Sequence, residues 1–250
     1  MDAHSIAADL RRRIINGEYP HGSLLPSVRD QVERYGANRQ TVSAAYAALA
    51  ALGLVRSGRA DGTRVTATKR SDAHLGTFTP PDLTAAQTWR PTGDGRARED
   101  TTLVREITAS ATMSEWGFQE GQTLVERTRV RYIDDIAVQH KLTLLPYPVA
   151  AHVPDGYEGA PPMLAPAGSE AASPPAGTRM ADWLGWDVAH TECAITVEPM
   201  DDMACEALGT AAGSPGFRIV GITRAPEGHT LYITVTTAQL HHRVTLGITG

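Results

Sequence analysis

Residues 37–53 read ANRQTVSAAYAALAALG, and the chain runs on as GLVRSGRADGT from Gly53 to Thr63. Val42, Ala45, Leu49 and Leu52 fall in one stripe at about 100° per residue, the mark of a helix with a single apolar face. Asn38 is a good N-cap for that helix, and Gly53 ends it. Gln40, Ser43 and Ala47 lie opposite the stripe, with Arg39 and Thr41 on its flanks near the helix start. A polar corner carrying one arginine is thus turned toward something outside the chain.

Working outward, residues 5–16 place Ile6, Leu10 and Ile14 at helical spacing, with Ser5 as N-cap and Gly17 as stop. A second helix follows Pro26, with Ser27 as N-cap, Val28, Val32 and Tyr35 facing inward, and Gly36 at its end. Beyond the third helix, 54–57 and 63–67 can pair as a hairpin around Gly58–Gly62. Three helices and a hairpin in under 70 residues outline a winged helix-turn-helix.

Charge divides the chain at the same place. Residues 1–70 carry eleven Lys/Arg against six Asp/Glu, a net of +5. The whole chain is −5, so the remaining residues sum to −10. A basic head on an acidic body is expected when only the head meets phosphates. The apolar runs fall far short of the ~20 residues of a membrane span. The N-terminus has its charges after its apolar residues, the wrong order for a secretory signal. Cys193 and Cys205 are too few for a disulfide framework or a zinc site. The expected location is the cytoplasm.

Residues 69–100 are polar, marked by Pro and Gly, and without period, which predicts a linker. From residue 101 to 250 the texture is α+β. Strands are expected at 103–108, 123–132, 137–145, 194–199, 217–223 and 230–237, and helices near 178–184 and at 201–208. The Pro/Ala/Gly-rich stretch 150–177 is expected to be poorly ordered. No nucleophile–base pair, HExxH, Walker pattern or dinucleotide loop is found, so no catalytic residue, metal or cofactor is assigned. His241 and His242 stand side by side; on a strand they would point to opposite faces and hold no metal together.

The head resembles the winged helix-turn-helix of the GntR family of bacterial transcription factors. The resemblance rests on a basic first helix, G-x-x-x-x-G-S-x-L-P-S-x-R, a Y-G before the third helix, R-x-T-V, A-L-x-x-L-G-L-V and a G-T wing, over about 60 residues. It implies a recognition helix that enters a major groove about 12 Å wide. Arg39 can chelate a guanine edge and Gln40 can reach an adenine, while Asn38 and Thr41 suit phosphate oxygens. Ser27 and Arg29 should hold the DNA backbone, and Arg59, Gly62 and Thr63 form the wing. The family often has an arginine where Ser43 stands, so a different operator preference is expected.

The body is similar to the UTRA effector-binding domain of the HutC subfamily, whose α+β fold with an antiparallel sheet is shared with chorismate lyase. LVERTRVRYIDDIAVQHKLTLLP and ITVEPMDDMACEALGTAAGSPGFRIVGITRAPEGHTLYITVTTAQL carry that likeness. It implies a homodimer whose operator affinity responds to a small metabolite. Arg129 and Arg131, two apart on one strand face, form a natural clamp for an anion. Thr77, Phe78 and Thr79 resemble a Ser-Phe-Thr linker motif that reaches into the site. Lys141 and Tyr232 stand where the subfamily's sugar-phosphate binders carry glutamates, which points to an acidic, less hydroxylated effector. The rival reading is an enzyme of lyase-like fold tethered to a DNA-binding head.

Overall fold

The computed structural model describes residues 1–58, 61–67, 71–77, 90–91, 96–170 and 172–247. Its first helix, α1 (Ala3–Ile15), presents Ile6, Leu10 and Ile14 to the head core. The N-cap is Asp2 rather than Ser5: the Asp2 carboxylate accepts from the Ser5 backbone N–H at 2.7 Å. Both residues are good caps by composition, and the one that leaves a full first turn for Ile6 prevails.

Helix α2 (Val28–Tyr35) opens with a complete capping box, Ser27 and Asp30 each accepting from the other's backbone N–H. Gly36, at φ 58°, closes it. Val28, Val32 and Tyr35 pack partly against the core, and Gln31 on the same helix is fully buried. Helix α3 (Arg39–Ala51) is capped by Asn38 Oδ1, which accepts from the Thr41 N–H at 2.8 Å. It buries Val42, Ala45, Tyr46 and Leu49, while Leu52 is only partly covered. Burial pushes the Tyr46 hydroxyl up to about 12, and it donates to the Pro26 carbonyl at 2.5 Å. Strands β1 (Val55–Gly58) and β2 (Gly62–Val65) pair antiparallel as the wing.

Part of the expected linker 69–100 is strand. β3 (Ser71–Thr77) pairs antiparallel with the short β4 (Arg90–Pro91) and parallel with β11 (Arg243–Gly247) at the far end of the chain. A pairing about 170 residues apart in sequence leaves no local signal. β5 (Ala97–Thr108) likewise begins inside that stretch.

The body is one antiparallel sheet of six strands, ordered β5-β6-β7-β10-β9-β8. Its other strands are β6 (Thr123–Ile133), β7 (Ile136–Pro146), β8 (His190–Pro199), β9 (Pro215–Arg224) and β10 (Thr230–Gln239). Asp134 and Asp135, both at positive φ, form the two-residue turn between β6 and β7. One face of the sheet packs Leu124, Leu144, Ile233 and Val235 against Phe118 and Trp116. On the other, Val125 and Leu145 meet the segment after β7, through α4 (Tyr147–Ala150) to Trp186. The remaining helices are the single turn α5 (Met180–Trp183) and α6 (Asp202–Ala207), which Asp201 caps.

Residues 150–170 and 172–177 are irregular yet anchored, a correction to the expectation of disorder. The Arg127 guanidinium donates to the Pro162 and Met163 carbonyls at 2.9 and 2.8 Å, and the Gly168 N–H donates to the Thr101 carbonyl at 3.1 Å. His241 and His242 follow β10 in a turn, not on a strand, and their buried rings lie 4.0 Å apart. Among the described residues no group of three metal-ligating side chains converges, and no helix is long and apolar enough to cross a membrane.

Leu49 is fully buried at the centre of the head core. Leu49→Ala is expected to destabilise the head by about 2–5 kcal/mol, read from its denaturant midpoint. A loss below about 1 kcal/mol would mean that the core does not depend on α3.

Candidate nucleic-acid interface and ligand site

The first turn of α3 leaves Asn38, Arg39, Gln40 and Ser43 exposed, with Thr41 half-buried beside them. The backbone N–H groups of that turn point out of the helix end, where they favour an anion. Ser27 and Arg29 are exposed at the start of α2, so both helix starts offer donors to solvent. In the wing, Thr63 stands opposite Ser57 with their hydroxyls 3.3 Å apart. Arg59 lies outside the described residues.

Sequence reasoning missed Arg56 and Arg64, which face each other directly across the wing. Like charges at opposed positions destabilise a hairpin unless something answers them. Arg64 donates to the Gly22 carbonyl at 2.5 Å. Both arginines and Gly62 line a cleft of about 640 Å³, opposite Tyr132, Asp135 and Glu206 of the body. The register was the available signal: the two arginines are equally spaced from the turn.

In the body, alternation along β6 puts Arg127, Arg129 and Arg131 on one sheet face, and the register sets Lys141 opposite Arg129 and Gln139 opposite Arg131. Glu99 of β5 faces this group. Its Oε1 accepts from Arg129 Nη1 at 2.7 Å, and its Oε2 pairs with Arg131 Nε. Arg131 also donates to Gln139 Oε1 at 3.0 Å. Burial alone would raise the Glu99 carboxyl, but Arg129 and Arg131 outweigh it and pull it down to about 2. Burial, joined by repulsion from Arg129 and Arg131, holds the Lys141 ammonium well below its ordinary value. Arg127 falls to about 10, again through burial first and Arg129 second.

Arg129, Arg131 and Lys141 are thus brought together as the sequence predicts. Tyr232 is not beside them: it shares their face but lies four residues along β10 from Thr236, the partner of Lys141, and stacks on Trp186 at 5.1 Å. That is about 13 Å at strand rise. Thr77 ends β3 in the separate three-stranded sheet, and Phe78 and Thr79 lie outside the described residues. Glu99 was invisible beforehand, because nothing local pairs residue 99 with residue 131.

These features define a winged helix-turn-helix protein with a second, antiparallel-sheet domain. Residues 2–65 match the family described as bacterial regulatory proteins, gntR family, so the head is a DNA-binding domain of the gntR type. No curated protein matches it. Among solved structures it is similar to a GntR-family transcriptional regulator at 18% identity, with 99% of this chain and 96% of that one covered and a TM-score of 0.52. It is also similar to PhnF from Mycobacterium smegmatis at 20% identity, with 98% of each chain covered and a TM-score of 0.50. At such identities the likeness concerns the fold, and it spans both domains.

Because Glu99 is held at about 2 against an ordinary 4.5, its ion pairs contribute stability above pH 4.5 that is lost as pH falls toward 2. The side chain is 29% exposed, so the contribution is small, about 1 kcal/mol or less. The stability difference between the wild type and Glu99→Gln should shrink over that window. A difference that stays constant would mean that Glu99 is not paired.

Proposed function

We propose that the chain is a ligand-responsive repressor of the HutC type, which binds a pseudo-palindromic operator as a homodimer and answers to a small anionic metabolite. The carrying observation is the exposed Arg39–Gln40 corner on an N-capped helix, in a domain that matches the gntR family over residues 2–65. A symmetric pair of such helices reads two half-sites about one helical turn apart. Ser27, Arg29, Asn38 and Thr41 supply phosphate contacts that set the register, and Arg39 and Gln40 read bases.

Residues 1–68 are the DNA-binding head, and the body is a UTRA-like domain for effector binding and dimerisation. Four cations on one sheet face, in a body that is acidic overall, support an anionic effector at Arg129, Arg131 and Lys141. The lyase-like enzyme reading has no specific observation in its favour, and the protein acts in the cytoplasm, where its DNA lies. Gly62, Arg56 and Arg64 line the cleft against the body, so the wing reaches DNA when that cleft opens. Effector and operator then compete through the placing of the heads, with a coupling of about 1–3 kcal/mol.

Arg39→Ala is expected to cost about 1–3 kcal/mol on the specific duplex and little on unrelated DNA at the same salt, measured by fluorescence anisotropy. An equal loss on all sequences would make Arg39 a phosphate contact and remove the base-reading assignment.

A further inference from the structure

The two guanidiniums of the clamp are not open in this structure. One Glu99 oxygen takes Arg129 and the other takes Arg131, so a single carboxylate already bridges the pair as a ligand oxyanion would. The lock is accessible: the Glu99 and Arg129 side chains are 29% and 27% exposed, whereas Arg131 is 9% exposed. Beside it, Gln139 Nε2 and Arg129 Nε are buried without a hydrogen-bond partner, and Gln139 is fully buried. Buried donors without a partner are uncommon, and an ordered water or a ligand oxygen can satisfy them.

Glu99 also sits near the free end of an edge strand. β5 is an edge strand, paired only with β6 in the sheet. Its register slips between Thr101 and Leu103, so Ala97–Thr101 is separated by a bulge from the regular pairing of Leu103–Thr108. The leading segment keeps its own pairing with Arg129–Ile133 of β6. It is held besides by the Glu99 bridges, by Arg98 over the Tyr132 ring at 4.1 Å, by the Arg96 N–H donating to Asp134 at 2.8 Å, and at Thr101 by Arg127 and the Gly168 N–H.

We propose that Glu99 is a built-in competitor for the effector: the Arg129–Arg131 clamp holds either the Glu99 carboxylate or a ligand oxyanion, and ligand entry releases the Ala97–Thr101 end of β5. The inference rests on the effector-domain reading above and adds to it the residue that sets the ligand's affinity. The ligand group is a compact oxyanion with two oxygens to offer, either a carboxylate or a phosphate. Its apparent affinity is lowered by the fraction of clamps that Glu99 occupies. Release of the leading end of β5 carries the event toward the head, because that end is the part of the sheet nearest to the head along the chain.

The test is calorimetric titration of the full-length wild type, Glu99→Gln and Glu99→Gln/Arg129→Ala with benzoate and with inorganic phosphate, at pH 7 and fixed ionic strength. Glu99→Gln is expected to bind one of the two about tenfold or more tightly than the wild type, and the added Arg129→Ala to abolish the gain. Which probe gains identifies the oxyanion. Equal affinity in the wild type and Glu99→Gln overturns the exchange while leaving an anionic site in place. Weaker binding by Glu99→Gln overturns it by making Glu99 a ligand contact. No binding by Glu99→Gln overturns both the exchange and the anionic-effector reading. Should Glu99→Gln not fold, amide hydrogen exchange on the wild type decides. Faster exchange across 97–101 at saturating phosphate or benzoate supports release, and unchanged exchange refutes it.

Discussion

Everything in the body is arranged around a crowd of positive charge on one face of a sheet. Arg127, Arg129 and Arg131 project from a single strand, and Lys141 stands across from the middle one. Cations packed this closely and partly withdrawn from water are costly unless each finds an answering group. Arg127 takes two backbone carbonyls and the Thr101 hydroxyl, which ties the irregular segment after β7 to the sheet. Arg129 and Arg131 take Glu99, which ties down the start of β5. Lys141 also feels Glu99, but burial and the two arginines outweigh it and hold the ammonium well below its ordinary value. The anchoring of the loop and of the edge strand therefore shares one electrostatic origin.

The head works by the opposite device. Arg29 and Arg39 stay exposed, and the head's definition comes from backbone ends: Asp2, Ser27 and Asn38 each cap a helix with a side-chain oxygen. Those caps fix where α2 and α3 begin, and hence which side chains stand on the first exposed turns. A rigid start to α3 costs little entropy when it docks on DNA. The two halves meet at the wing, where Arg56 and Arg64 oppose Asp135 and Glu206 across the cleft.

How much of this could be read beforehand follows from the range of the interactions. Helices α2 and α3, their caps and the wing were legible because apolar spacing, capping oxygens and turn glycines act within a few residues. Even there, Asp2 rather than Ser5 caps α1, which leaves a full turn ahead of Ile6, four residues on. In the body, the six strands of the large sheet were visible, in whole or in part, from their alternation. The arginine pair was visible too, since spacing of two on a strand fixes a shared face. The partner of that pair was not. Glu99 reaches Arg131 only through the β5–β6 register, and β3 reaches β11 from opposite ends of the body. Tyr232 was misplaced for the same reason: sharing a face does not fix distance along a strand.

The polar corner of α3 either reads a sequence or only holds phosphates. The direct measurement is selection of bound duplexes from random DNA by the full-length chain, at a fixed and stated salt concentration. Enrichment of one two-fold-symmetric sequence, with half-sites about one helical turn apart, is the result expected. Binding that enriches no sequence, and that vanishes evenly as salt rises, would contradict it. The head would then hold phosphates without reading bases.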